Sequence, residues 1–175
     1  MKLTHAVPFE FDLSLGVQGA INFVQDAETS LSRASFIRDM KVTPVAPGDD
    51  ASFVRASIPI NAALFGQQTL SFQSLLEPTP RGARLVALPF EEDKMGWAEV
   101  AGEATVYPLP HGTRVTYHFD ITIHLDLPEP EKWGGRALIK MIQFTAQQVL
   151  ERIAGEFPKA VQAAAAEVEA KYSSI

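Results

Sequence analysis

Residues 113–127 constrain the fold most. Val115, Tyr117, Phe119, Ile121, Ile123, Leu125 and Leu127 alternate with Arg114, Thr116, His118, Asp120, Thr122, His124 and Asp126. Successive strand side chains point to opposite faces, so this segment reads as a strand with one buried and one wet face. Directly after Leu127-Pro128-Glu129-Pro130 the period changes. Leu138, Ile142, Thr145, Val149, Ile153, Phe157, Ala160, Ala164 and Val168 recur at steps of three and four, the spacing of a helix with one apolar stripe. A half-buried strand followed at once by a long amphipathic helix requires the stripe to cover the sheet.

The rest of the chain supplies that sheet. From Leu3 to Leu13 the odd positions are Leu, His, Val, Phe, Phe and Leu, a first strand in which Pro8 favours an edge or a bulge. Ser14 is placed to cap a helix whose Val17, Ala20, Ile21 and Val24 form one stripe, and Asp26 to cap a second short helix over 27–32. Turn signals at Pro47 to Asp50, Asn61 to Gly66, Pro78 to Gly82, Glu91 to Gly96 and Pro108 to Gly112 then divide the remainder into an antiparallel meander. The expected class is α+β: a curved antiparallel sheet of about seven strands wrapped around a long C-terminal helix, with two short helices after strand one. No composition shift or linker divides the chain, so residues 1–175 are expected to form one domain.

A helix running from Gly135 to Lys171 would rise ~1.5 Å per residue and exceed ~50 Å, more than a compact domain needs. Gly155 and Pro158 are expected to bend it, because the proline ring opposes the carbonyl of Ala154. Leu138 to Ile153 is expected to close the groove. Ala163 to Ala166, followed by Glu167 and Glu169, reads as a more exposed last segment.

Several function classes are disfavoured. With no cysteine there are no disulfides, thiolate metal sites or cysteine nucleophiles. The first residues alternate and carry acids where a secretory signal needs an apolar run, which points to the cytoplasm. No apolar run approaches the ~18 residues of a membrane span. A net charge of −6, with fifteen Lys and Arg scattered singly, argues against nucleic acid as a partner. A Walker A loop, a dinucleotide Gly-X-Gly-X-X-Gly and a nucleophile elbow are all missing, so no cofactor is expected.

The order strand, two short helices, six-strand meander and long helix resembles the START-like superfamily, also called the helix-grip or polyketide-cyclase-like fold. The residues that carry the resemblance are the helix Val17 to Val24 with Asp26, the strand AEVAGEATVY from Ala98 to Tyr107, and GTRVTYHFDITI leading into GGRALIKMIQFTAQQVLERI. It spans nearly the whole chain and is closest to uncharacterised bacterial members. Members bind lipids, polyketides, sterols or plant hormones, and some act as chaperone regulators or as partners in ribosome or respiratory-chain biology. The resemblance therefore implies an apolar small molecule or lipid held between sheet and helix. A cyclase or dehydratase enzyme is the alternative, as is a protein-interaction domain without a ligand that docks a protein partner through its outer sheet face or Ala-rich helix end.

Four residues are candidates to meet such a ligand. His5 lies among apolar inward positions, as a polar anchor or as a satisfied core histidine. Arg38 shares a face with Phe36, Met40 and Val42 and would orient an acidic ligand, unless a bulge or the sheet edge turns it outward. Tyr117 puts a hydroxyl on the buried face of the last strand, and Ser74 does so between Phe72 and Leu76; each would orient a ligand's polar end or bond to protein or trapped water. In the strand around Gly102 the inward residues Ala98, Val100, Gly102, Ala104 and Val106 are all small, which leaves volume open or lets the helix approach. His118, Asp120, His124 and Asp126 share one face, but same-face neighbours lie ~6.7 Å apart and His118 to Asp126 spans ~27 Å, so a wet outer face is favoured over a metal site. Trp133 is placed to plug or gate one end of the fold.

Overall fold

The computed structural model describes residues 1–62, 66–90, 96–127 and 135–173. In chain order its elements are β1 (Lys2–Leu13), α1 (Val17–Gln25), α2 (Ala27–Ser30), β2 (Arg38–Pro44), β3 (Ser52–Ala62), β4 (Gly66–Thr79), β5 (Gly82–Leu88), β6 (Gly96–Leu109), β7 (Gly112–Leu125) and α3 (Arg136–Ser173). The strands form one antiparallel sheet in the order β1-β7-β6-β5-β4-β3-β2. The meander thus runs from β2 to β7, and β1 adds to the free side of β7. Sheet and long helix are the α+β architecture that the two periodicities demand. Trp133 and parts of the turns at Asn61–Gly66, Glu91–Gly96 and Pro128–Pro130 lie outside the described residues.

β1 pairs with β7 without a register break, from Lys2 opposite His124 to Leu13 opposite Thr113. Pro8, which lacks an N–H, is accommodated because β1 is an edge strand. The tight β6–β7 connection needs Gly112: its φ of 129° is a glycine conformation, and a Cβ there would lie 2.1 Å from the Leu13 carbonyl oxygen.

The short helices differ from expectation in one cap and one stripe. Gly16, not Ser14, occupies the N-cap of α1, and no side chain caps it. The Ser14 N–H instead donates to Glu169 Oε1 at 2.9 Å. Ala20, Phe23 and Val24 are the buried face, while Val17 is exposed and Ile21 half-buried, because the helix presents the Phe23 side to the sheet. Asp26 caps α2 as expected, accepting from the Thr29 N–H at 3.2 Å and the Thr29 hydroxyl at 2.6 Å.

The helix α3 is continuous over 38 residues with Pro158 inside it. Its buried stripe runs from Ala146 through Val149, Leu150, Ile153, Phe157, Ala160 and Val161 to Ala164 and Ala165. Two expectations are corrected here. The segment that closes the groove begins later than Leu138: of the expected stripe Leu138, Ile142 and Thr145 are only half-buried, and the fully buried face begins at Ala146. The alanine-rich end is packed, with Ala164 and Ala165 each 1% exposed. Its acids bind the body of the fold, Glu167 pairing with Arg33 after α2 and Glu169 with the Ser14 N–H after β1. Among the described residues no helix is long and apolar enough to cross a membrane.

Candidate functional site

The unbroken alternation of β7 sends Val115, Tyr117, Phe119, Ile121 and Ile123 inward, where all are buried. Tyr117 lies opposite Phe9 in the β1–β7 pair, and their rings stack with centroids 4.8 Å apart and planes within 4°. Phe11 and Phe119 lie 6.0 and 5.6 Å from the same ring. From α3, Phe157 reaches down to Phe9, Phe119 and Phe36, with centroids 5.7, 5.1 and 5.7 Å away. Helix and sheet therefore meet through a cluster of rings whose one polar atom is the Tyr117 hydroxyl.

That hydroxyl is the electrostatic anomaly of the interior. Tyr117 is 6% exposed, and its oxygen has no hydrogen-bond partner among the described residues. Burial raises the phenol's pKa well above its ordinary value, so it remains a protonated donor at neutral pH. An unsatisfied buried hydroxyl costs ~1–3 kcal/mol, and proteins rarely leave one without a reason.

Tyr117 borders a cavity between α1, α2, the inner face of the sheet and α3. Val24 and Ala27 form one wall, Val100 and Ala104 another, and Ile153, Phe157 and Val161 the helix side. The void is small: the space open to the centres of water-sized molecules is about 60 Å³, while all the unfilled space of the pocket, part of it open to solvent, is about 750 Å³. At ~10–15 Å³ per water centre that space corresponds to about four to six waters. The small residues of β6 do both things open to them. Ala104 and Gly102 both line the void, and Gly102 also lets Phe119 approach, since a Cβ there would lie 2.4 Å from the Phe119 ring.

Of the four sequence candidates, Tyr117 alone is among the described residues lining the cavity. His5 is half-buried on β1 opposite Ile121, four residues and thus ~13 Å along the strand from Phe9. Arg38 is exposed on the far edge strand, because β2 carries a register shift between Arg38 and Lys41, with Asp39 at a φ of 54°. That bulge resets the parity that had placed Arg38 with Met40 and Val42, and Phe36 lies in the turn before β2. Ser74 is fully buried, but its hydroxyl donates to the Val100 carbonyl at 2.7 Å and so tethers β4 to β6, where β5 and β6 have ceased to pair.

The His and Asp residues of β7 lie on its outer face: His118, Asp120 and Asp126 are exposed, and His124 stacks on Trp97 at 4.1 Å with Nε2 2.9 Å from Glu99. No group of three metal-ligating side chains occurs among the described residues. Sequence reasoning missed the aromatic partners of Tyr117. Phe9 and Phe11 were visible as inward odd positions of strand one, but that β1 lies beside β7 is a property of the sheet order.

The family model described as "Protein of unknown function (DUF3809)" matches residues 8–155. Comparison with curated proteins finds no significant match. Among solved structures the chain is similar to the di-domain ARO/CYC StfQ from the steffimycin biosynthetic pathway, at 14% identity and a TM-score of 0.55, covering 97% of this chain and 52% of that one. It is similar to the di-domain ARO/CYC BexL from the BE-7585A pathway at 16% identity and a TM-score of 0.51, over 95% and 50% of the two chains. The Zhui aromatase/cyclase from Streptomyces sp. R1128 matches at 12% identity and a TM-score of 0.52, over 95% and 94%. The chain spans about half the length of the two di-domain proteins. At these identities the likeness shows the fold alone, and that fold is the START-like helix grip.

Proposed function

The chain belongs to the DUF3809 family, and from its helix-grip fold and cavity we propose that residues 1–175 act as one domain that binds an apolar small molecule between sheet and α3. The observation that carries this reading is Tyr117, which lines the apolar void and whose buried hydroxyl has no partner among the described residues. A hydroxyl kept there at a cost in stability is accounted for if a bound molecule satisfies it. The void's size adds a condition. A cavity of about 150 Å³ suffices for benzene, so a ligand of that size or larger must use the space towards solvent or part α3 from α1 and α2.

The similar structures described as aromatase/cyclases suggest catalysis as a further use of the same cavity. Proton transfer would need a second group converging on Tyr117, and the other ionisable residue among the described lining, Glu103, is exposed on the outward side of β6. Binding is the reading the geometry supports best.

Fluorescence titration with Prodan, an uncharged naphthyl ketone dye, tests it. The native protein is expected to bind the dye with a blue shift. Ala104→Leu, which fills the void, should weaken binding at least tenfold, and Thr116→Val on the outer face should leave it unchanged. Near-UV circular dichroism establishes that both variants are folded. An absence of binding by the native protein, or undiminished binding by folded Ala104→Leu, would sink the proposal.

A further inference from the structure

Resting on the cavity reading just given, we infer that Tyr117 sets the ligand class: the site selects uncharged molecules carrying a hydrogen-bond acceptor oxygen, such as a ketone, ester or ether, and rejects carboxylates. Three observations carry this.

The first is the polarity of the wall. Its described side chains are almost all aliphatic or aromatic, and none is a lysine, arginine or histidine. An ionised carboxylate would enter without a counter-charge, a transfer that costs far more than a neutral group of the same shape. The residues that might have supplied one do not. Arg38 is exposed on β2, and His5 lies down β1 outside the lining.

The second is the identity of the orphaned group. The Tyr117 oxygen has no partner among the described residues, and a phenol is a better donor than acceptor, so what it lacks is an acceptor. Ser74, the other inward hydroxyl, already donates to the Val100 carbonyl and offers the ligand no competing donor. Ser30 is buried at the α2 end of the lining, on the wall opposite the sheet.

The third is the shape of the surroundings. Phe9 and Phe11 stack on the Tyr117 ring on the β1 side and Phe119 lies beside it on its own strand, while Phe157 crosses from the helix. These rings fix the plane of the phenol and so the position of its oxygen before a ligand arrives. A preformed donor discriminates by the penalty it pays when unmatched.

Three naphthalenes of similar size test the inference by calorimetric titration: 2-ethylnaphthalene without an acceptor, 2-acetylnaphthalene with a neutral one, and 2-naphthoate with a charged one. The native protein should bind the ketone about fivefold or more tightly than the hydrocarbon, the range of a neutral hydrogen bond, and the carboxylate at least about tenfold more weakly than the ketone. Tyr117→Phe should bind ketone and hydrocarbon equally. The carbonyl stretch of bound 2-acetylnaphthalene should lie at lower frequency in the native protein than in the variant. Should hydrocarbon and ketone bind the native protein alike, or naphthoate bind best, the ligand class assigned here is wrong while the cavity reading stands. Should none of the three bind, the cavity reading itself falls and takes this inference with it.

Discussion

Tyr117 concentrates the argument in one atom. Its hydroxyl is buried and has no partner among the described residues, so removing it should relieve more than it disrupts. Tyr117→Phe is expected to stabilise the unliganded protein by about 1 kcal/mol in urea unfolding, and a loss of that size would mean that the hydroxyl has a protein partner. The pH dependence has a definite sign. Burial raises the phenol's folded pKa above the ~10 of an unfolded tyrosine, so above about pH 10 the unfolded chain binds fewer protons and stability falls as pH rises; below it the contribution is fully present. Native protein should therefore lose stability more steeply than Tyr117→Phe between about pH 10 and 11.5, and parallel slopes would contradict the buried phenol. The position of Tyr117 was legible in the sequence, since β7 keeps strict parity throughout. That of Arg38 was not. The β2 bulge leaves no mark other than an aspartate, which tolerates the positive φ it adopts. Ser74 was rightly read as inward, but its acceptor is a carbonyl 26 residues away that no local pattern reveals.

The element that sequence and structure describe most differently is the end of α3. Alanine fits a solvated helix as well as a close-packed one, so Ala163 to Ala166 with the following acids looked exposed. In the fold Ala164 and Ala165 are buried, and Glu167 and Glu169 reach Arg33 and the Ser14 N–H, the latter partner 155 residues away. Truncation after Gln162 should accordingly cost about 3 kcal/mol, from two buried methyl groups at ~0.8 kcal/mol each and two surface-level polar contacts. An unchanged melting temperature would show that the segment is dispensable to the fold and would reopen its reading as a docking arm. The existence, type and near-complete span of the helix were legible from its stripe, because a repeat sustained over more than 30 residues leaves no other solution. What the stripe could not show is which turns meet the sheet. Leu138 and Ile142 belong to the stripe yet are only half-buried, because contact depends on where the helix crosses the sheet.

At the scale of the molecule, the run β2 to β7 is a meander that turn spacing alone implies, whereas the place of β1 beside β7, which completes the order β1-β7-β6-β5-β4-β3-β2, is set by the fold and not by any local pattern. The interior volume could not be inferred from such a pattern either. It is the small difference between the space the backbone encloses and the side chains that fill it, and Gly102, which borders the void, also admits the Phe119 ring that helps to fill it. The central claim is that this residual volume, with Tyr117 in its wall, receives a ligand. Methyl-labelled protein saturated with 2-acetylnaphthalene tests it directly through intermolecular nuclear Overhauser effects. The account predicts contacts from the ligand to the methyl groups of Ala27, Ala104, Ile121 and Ile153, which line the cavity from helix and sheet. Contacts confined to exposed residues such as Met141, with none to those four methyl groups, would contradict it.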